Sequence, residues 1–228
     1  MKLNYDIFYG NFVARPNRFI AHIEKDGEIV IAHVPNTGRL RELLHPGAEV
    51  ILSYHPQGHR KTQYELRMVR KGGHWISIDS QLPNAIAAEA ISKGIIEELK
   101  GYPTLKREVF YGNSRFDIQL LGEDTCFVEV KGVTLEKDGW SYFPDAPTER
   151  GRKHIEELIE AVKNGYRGVL LFVIQIGGIK GFSPNTEMDF EFAQKVRQAF
   201  AAGVEILAYS CEVTSTEVKI VEKVPVKL

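Results

Sequence analysis

Strict alternation of apolar and polar residues marks the first eighty positions, whereas helical spacing and one continuous apolar run mark the rest. Residues 8–14, 18–24 and 28–34 alternate with period two, as strands with one buried face do. Asp26-Gly27, between the last two, is the dipeptide of a tight hairpin, because both turn positions need φ > 0. Pro35-Asn36-Thr37-Gly38 interrupts the pattern. It reads first as turn chemistry, with ligand contact as the second reading. A short turn or helix over 39–44 leads to Pro46-Gly47, and strands follow over 50–54, 64–69 and 75–78. Five or six short strands in residues 1–80 predict a small closed barrel. The OB-like form of such a barrel commonly binds oligonucleotides, and a purely structural barrel fits the same pattern.

The pattern changes at Leu82-Pro83-Asn84. Asn84 has the chemistry of an N-cap for a helix reaching about residue 93, with Gly94 as its stop. Strands over 105–111, 114–121 and 125–131 come next, then a looser segment, 134–143, before Pro144-Asp145-Ala146-Pro147. Ile155, Leu158, Ile159 and Val162 recur at i, i+3, i+4 and i+7, which predicts a helix over about 148–164. Residues 168–176 read as one apolar run, as expected of a central strand covered on both faces. A helix over 189–202 and strands over 204–210 and 213–222 complete the pattern. The expected class is therefore α+β or mixed α/β. It divides into a nucleic-acid-binding OB-like β-barrel, residues 1–82, and a mixed β-sheet flanked by helices, residues 83–228.

Composition sharpens this in two places. With 43% hydrophobic and 26% charged residues the chain can bury a large core, which argues against disorder. The net charge of −1 is silent about a polyanionic partner, but its distribution is not. Residues 1–82 hold eleven Lys and Arg against eight Asp and Glu, and the remainder holds eighteen against twenty-two. Six of the seven histidines also fall in the first segment, which leans it towards an anion. Two cysteines, Cys126 and Cys211, are too few for a disulfide framework or a zinc cluster. Both are expected buried and reduced, a bridge between them being the alternative. The N-terminus lacks the apolar stretch of a signal peptide, and the run from Val169 to Ile176 is too short to span a bilayer. The expected setting is the cytoplasm, with no membrane partner.

The candidate chemistry lies in Phe116-Asp117-Ile118-Gln119-Leu120 and Phe127-Val128-Glu129-Val130-Lys131. Side chains i and i+2 of a strand share a face, so Glu129 and Lys131 stand roughly 6.5–7 Å apart along it. Asp117 joins them if the preceding strand is the hairpin partner. Two carboxylates hold a hard divalent cation through oxygen, and a nearby ammonium orients the attacking water or helps deprotonate it. That is the minimum equipment for phosphodiester hydrolysis. An Asp-x11-Glu-x-Lys string alone is equally the mark of a solvated strand face; the strand-turn-strand setting behind a helix favours the site. Glu89 shares a helix face with Ile86 and Ala90, which makes it a third acid for the same cation or a side chain reaching solvent at the helix edge. Arg150 and His154, at i and i+4, with Lys153 one residue round, make a helix N-terminus basic. They contact phosphate or form a solvated first turn. The loop Tyr54-His55-Pro56-Gln57-Gly58-His59-Arg60-Lys61 mixes cations with aromatics and suits a nucleic-acid backbone. No Walker A loop, Gly-x-Gly-x-x-Gly or Gly-x-Ser-x-Gly occurs.

Several strings together resemble the sugar fermentation stimulation protein A family. They are His33-Val34-Pro35-Asn36-Thr37-Gly38, Ser114-Arg115-Phe116-Asp117 and Val128-Glu129-Val130-Lys131-Gly132-Val133-Thr134-Leu135. Phe143-Pro144-Asp145-Ala146, Thr148-Glu149-Arg150-Gly151-Arg152-Lys153-His154 and Gly203-Val204-Glu205-Ile206-Leu207-Ala208-Tyr209 continue the match. Pro147, where that family usually has valine, is a departure that touches no expected ligand. The resemblance implies an OB-fold domain followed by a restriction-endonuclease-like domain of the PD-(D/E)xK kind. In such a domain Asp117, Glu129 and the Val130 carbonyl hold Mg²⁺ or Mn²⁺, Lys131 sits by the water and Glu89 assists. It also implies DNA as partner, and the expected contacts to it are Arg60, Lys61, Arg115, Arg150, Lys153 and His154. The implied activity is a metal-dependent nuclease, or else a non-catalytic DNA-binding regulator of sugar-metabolism genes that retains the nuclease fold.

Overall fold

A computed structural model of the chain describes residues 1–55, 62–112 and 114–228. The alternating segments become β1 (Ile7–Asn17), β2 (Ile20–Lys25), β3 (Glu28–His33), β4 (Glu49–Tyr54), β5 (Tyr64–Lys71) and β6 (His74–Ser77). Their order is β3-β2-β1-β4-β5-β6, and a short parallel pairing of β3 with β5 closes the first five into an OB barrel. Asp26 and Gly27 take the positive φ values, 53° and 82°, of the two-residue turn between β2 and β3. Ile23, Leu52 and Leu66 point into the barrel and are fully buried.

Leu82–Ser92 forms α1, followed by a 3-10 turn at Glu97–Leu99. The second half then adds β7 (Thr104–Tyr111), β8 (Ser114–Leu121), β9 (Thr125–Val133), β10 (Leu135–Lys137), β11 (Trp140–Phe143), α2 (Glu149–Lys163), β12 (Arg167–Ile174), β13 (Gly181–Pro184), α3 (Phe190–Ala201), β14 (Glu205–Val213) and β15 (Val218–Lys223). The main sheet runs β15-β14-β12-β9-β8-β7. Its centre, β9-β12-β14, is parallel, and the flanking pairs are antiparallel.

Parallel strands must be covered on both faces. Here α1 packs Ile86, Ala87 and Ile91 with Val128, Val169 and Leu171 on one face. On the other, Ile155 and Leu158 of α2 and Phe192 and Val196 of α3 pack with Phe127, Leu170 and Phe172. Each of the larger of these side chains is worth about 1.5–3 kcal/mol when fully buried. A Cβ on Gly132 would stand 2.5 Å from Pro83 Cγ, so glycine is what lets α1 start directly against β9.

Two expectations need correction. The segment 134–143 is not loose: β10 and β11 form a small sheet with β13, the last pairing being parallel. Asn84 does not cap α1. The N-cap position is Gln81, with no side-chain cap bond, and Asn84 lies inside the first turn. Both cysteines are buried and unbridged. Among the described residues no helix is long and apolar enough to cross a membrane.

Candidate active site

Asp117, Glu129 and Lys131 meet where the hairpin β8–β9 opens. The two strands pair from Leu121↔Thr125 to Ile118↔Val128. Beyond that point the Val130 amide donates to Asp117 Oδ2, at 2.8 Å, so a side chain takes the place of a ladder carbonyl. On the other side of β8, Glu108 has φ +55° between the pairs Arg107↔Ile118 and Val109↔Phe116. A non-glycine residue there is strained, and such strain collects at functional sites. The second Asp117 oxygen, Oδ1, accepts from Asn84 Nδ2 at 2.6 Å.

Glu129 is 1% exposed. Its Oε1 accepts from Lys131 Nζ at 2.6 Å and also meets His154 Nδ1. Arg150 Nε donates to His154 Nε2 at 3.3 Å, which assigns the imidazole proton to Nδ1 and makes it a donor to Glu129. The helix bringing His154 here is fixed at its N-terminus: Thr148 caps it by accepting from the Gly151 amide at 3.1 Å. Asp189 accepts the Thr148 amide at 2.8 Å while capping α3 through the Phe192 amide. The remaining oxygen, Glu129 Oε2, is buried with no hydrogen-bond partner. Leaving a buried acceptor unmatched costs about 1–3 kcal/mol, more if it is charged.

The two acids are electrically unlike. Burial pushes Asp117 up to about 6, and the neighbouring Glu129 charge adds to the rise, against the Val130 amide, Lys131 and Asn84. Burial also raises Glu129, but Lys131 and His154 outweigh it and hold that carboxyl below the usual range. This donor set fits a divalent cation. A dication beside Glu129 Oε2 would meet the orphan oxygen and remove the charge repulsion that lifts Asp117. Among the described residues no three His, Cys, Asp or Glu form a ready-made cage. Two acids would leave most of the cation's sphere to water or substrate oxygens, as Mg²⁺ sites do.

The other expected residues are distributed differently. Glu89 is not beside the acids: its carboxylate pairs with Lys93 and with the Met1 ammonium, the latter at 3.1 Å. The residue of α1 that reaches Asp117 is Asn84, whose place after Leu82-Pro83 had the look of cap chemistry. His154 is turned inward onto Glu129, and Arg150 follows it. Lys153 is exposed, 3.9 Å from Glu157, and Arg115 is exposed and paired with Glu108 at 3.0 Å. Arg60 and Lys61 lie outside the described residues. Sequence reasoning also passed over Gln175, a buried amide inside an otherwise apolar run.

An OB barrel followed by a mixed sheet, with helices on both its faces and an acid pair where its β8–β9 hairpin opens, defines a two-domain protein with a restriction-endonuclease-like half. The family model described as "Sugar fermentation stimulation protein RE domain" matches residues 81–217, and "SfsA N-terminal OB domain" matches residues 13–78. The chain belongs to the sugar fermentation stimulation protein family. The sugar fermentation stimulation protein homolog of Caldanaerobacter subterraneus subsp. tengcongensis is 49% identical over 229 residues, covering 100% of both chains. That of Thermoanaerobacter pseudethanolicus is 50% identical over 230 residues, again covering 100% of both. Among solved structures, Pyrococcus furiosus SfsA in complex with Ca²⁺ superposes with a TM-score of 0.90 at 30% identity, covering 100% of this chain and 98% of that one.

Proposed function

We propose that the chain is a DNA-binding nuclease that hydrolyses phosphodiesters with Mg²⁺ or Mn²⁺. The observation that carries this reading is the buried, unpartnered Oε2 of Glu129 beside an Asp117 whose carboxyl is raised by burial and by that same neighbour. An acid pair built this way is unsatisfied until a cation joins it. The relative solved with Ca²⁺ supports a divalent cation without choosing between Mg²⁺ and Mn²⁺.

In this reading Asp117, Glu129 and the Val130 carbonyl would hold the cation, which would supply an acidified water and neutralise charge on the phosphate. Lys131, anchored at 2.6 Å on Glu129 Oε1, orients the attacking water by donating from its remaining N–H bonds. His154 holds Glu129 in one orientation, and Arg150 fixes the tautomer that lets it do so. Lys153 and Arg115 are exposed cations suited to phosphate contact, with Arg60 and Lys61 serving on the barrel. We assign residues 1–82 to a barrel that grips the strand and residues 83–228 to the domain that cuts it.

The test is incubation with single-stranded, duplex and branched DNA in Mg²⁺ or Mn²⁺. Cation-dependent cleavage is expected, lost in Asp117→Asn and in Lys131→Met. Salt-sensitive DNA binding with no cleavage of any substrate would instead favour the non-catalytic regulator.

A further inference from the structure

Further along the parallel strands than the acids lies a polar group with no use in the hydrolytic scheme. Gln175 follows β12 and extends the sheet, its main-chain N–H donating to the Val133 carbonyl at 2.9 Å. The residue is 1% exposed, and its Oε1 is buried without a hydrogen-bond partner. It borders a cavity of about 400 Å³ that also includes Gly132, one residue beyond Lys131 on β9. The cavity sits beyond the carboxyl ends of the parallel strands β9 and β12, where open α/β sheets take their ligands.

Both halves of the chain build its walls. The loop at Gly38 and the side chain of Arg18 come from the barrel, and the segment from Phe143 to Thr148 comes from the approach to α2. The loop is held rigidly: the Arg15 guanidinium donates to the carbonyls of Asn36, Gly38 and Arg18 at 2.7–2.8 Å. A Cβ on Gly38 would stand 2.5 Å from Asp145 Oδ2, so glycine lets the two walls approach. Of the described lining side chains only Arg18 is cationic and only Asp145 is acidic. A phosphate backbone calls for several cations, which the described lining does not supply. A buried carboxamide, offering donor and acceptor in one plane, matches instead the hydrogen-bonding edge of a nucleobase. At about 400 Å³ the space lies near the lower end of the roughly 300–1,000 Å³ of ligand pockets.

We propose that this interdomain cavity receives the base of one unpaired nucleotide, read along its edge by Gln175, while the adjoining strand lies at Asp117 and Glu129. The inference rests on the nuclease reading for the path of the strand. It makes DNA with an unpaired nucleotide, rather than continuous duplex, the preferred substrate class.

The test measures binding by fluorescence anisotropy in Ca²⁺, using three labelled DNAs: a full duplex, a duplex with one bulged nucleotide, and the same bulge made abasic. Wild-type protein is expected to bind the bulged base roughly tenfold or more tightly than the other two. Gln175→Leu should lose that preference and bind all three alike. Its Tm should equal or exceed that of wild type, because an unpartnered carboxamide is exchanged for an apolar side chain of similar size. Equal binding of bulged and abasic DNA by wild type would overturn the proposal, as would a preference that survives in Gln175→Leu. Cation-dependent cleavage without any base preference would remove the base site and leave the nuclease standing. A base preference without cleavage of any DNA would remove the nuclease alone.

Discussion

One carboxylate oxygen decides how the central residues are read. Glu129 Oε1 has two donors and Oε2 has none, while Asp117, a strand away, has a donor on each oxygen yet is lifted to about 6. The ordinary value for an aspartate is 3.8. The metal-free folded state therefore holds this proton more tightly than the unfolded chain does. The stabilisation is complete below the unfolded value and is lost as the pH rises through about 6. Asparagine has no proton to lose, and its Oδ1 still accepts the Val130 amide. Asn84, with its amide turned over, then presents oxygen to the new Nδ2. Asp117→Asn is expected to stabilise the metal-free protein by about 2 kcal/mol at about pH 7.5, with the gain vanishing near pH 4. Urea unfolding in EDTA at the two pH values checks this; no gain at the higher pH contradicts it.

Elements, more than single residues, explain what was legible in the sequence. Period-two alternation gave the barrel strands, and the i, i+3, i+4, i+7 spacing gave α2, because each pattern reports a face buried by its own element. The small sheet β10-β11-β13 stayed hidden because its closing pairs, such as Trp140↔Gly181, join residues far apart in the chain. Glu89 misled for a related reason. Its helix face does turn inward, but the chain's own N-terminus lies there, with the Met1 amine donating to the Val218 carbonyl and pairing with Glu89. Asn84 was hidden because its partner, Asp117, is 33 residues away. It orients an expected ligand, so Asn84→Ala should weaken divalent-cation affinity about tenfold. The accompanying loss of stability should be about 1–2 kcal/mol. Calorimetric titration with Mn²⁺ and a denaturant curve measure the two effects, and unchanged affinity would show that α1 does not tune the site.

At the scale of the molecule, the barrel meets the second half at the small sheet and at the approach to α2. Lys71 of the barrel pairs with Glu136 of the small sheet at 2.7 Å, and the Gly38 loop lies against Asp145. Strings that looked unrelated along the chain, Asn36-Thr37-Gly38, Gly132 and Phe143-Pro144-Asp145, border one cavity beyond the carboxyl ends of β9 and β12. Sequence alone carried the parts of this arrangement and their order, whereas their convergence depends on the join between the two halves. The claim on which everything else rests is that Asp117 and Glu129 together hold one divalent cation. Its most direct measurement is Mn²⁺ binding followed by electron paramagnetic resonance on wild type, Asp117→Asn, Glu129→Gln and Glu89→Gln. One ion per chain is expected in wild type and in Glu89→Gln, and none in the other two variants at the same free Mn²⁺. Undiminished Mn²⁺ binding after loss of either acid, or dependence on Glu89 instead, would contradict the account.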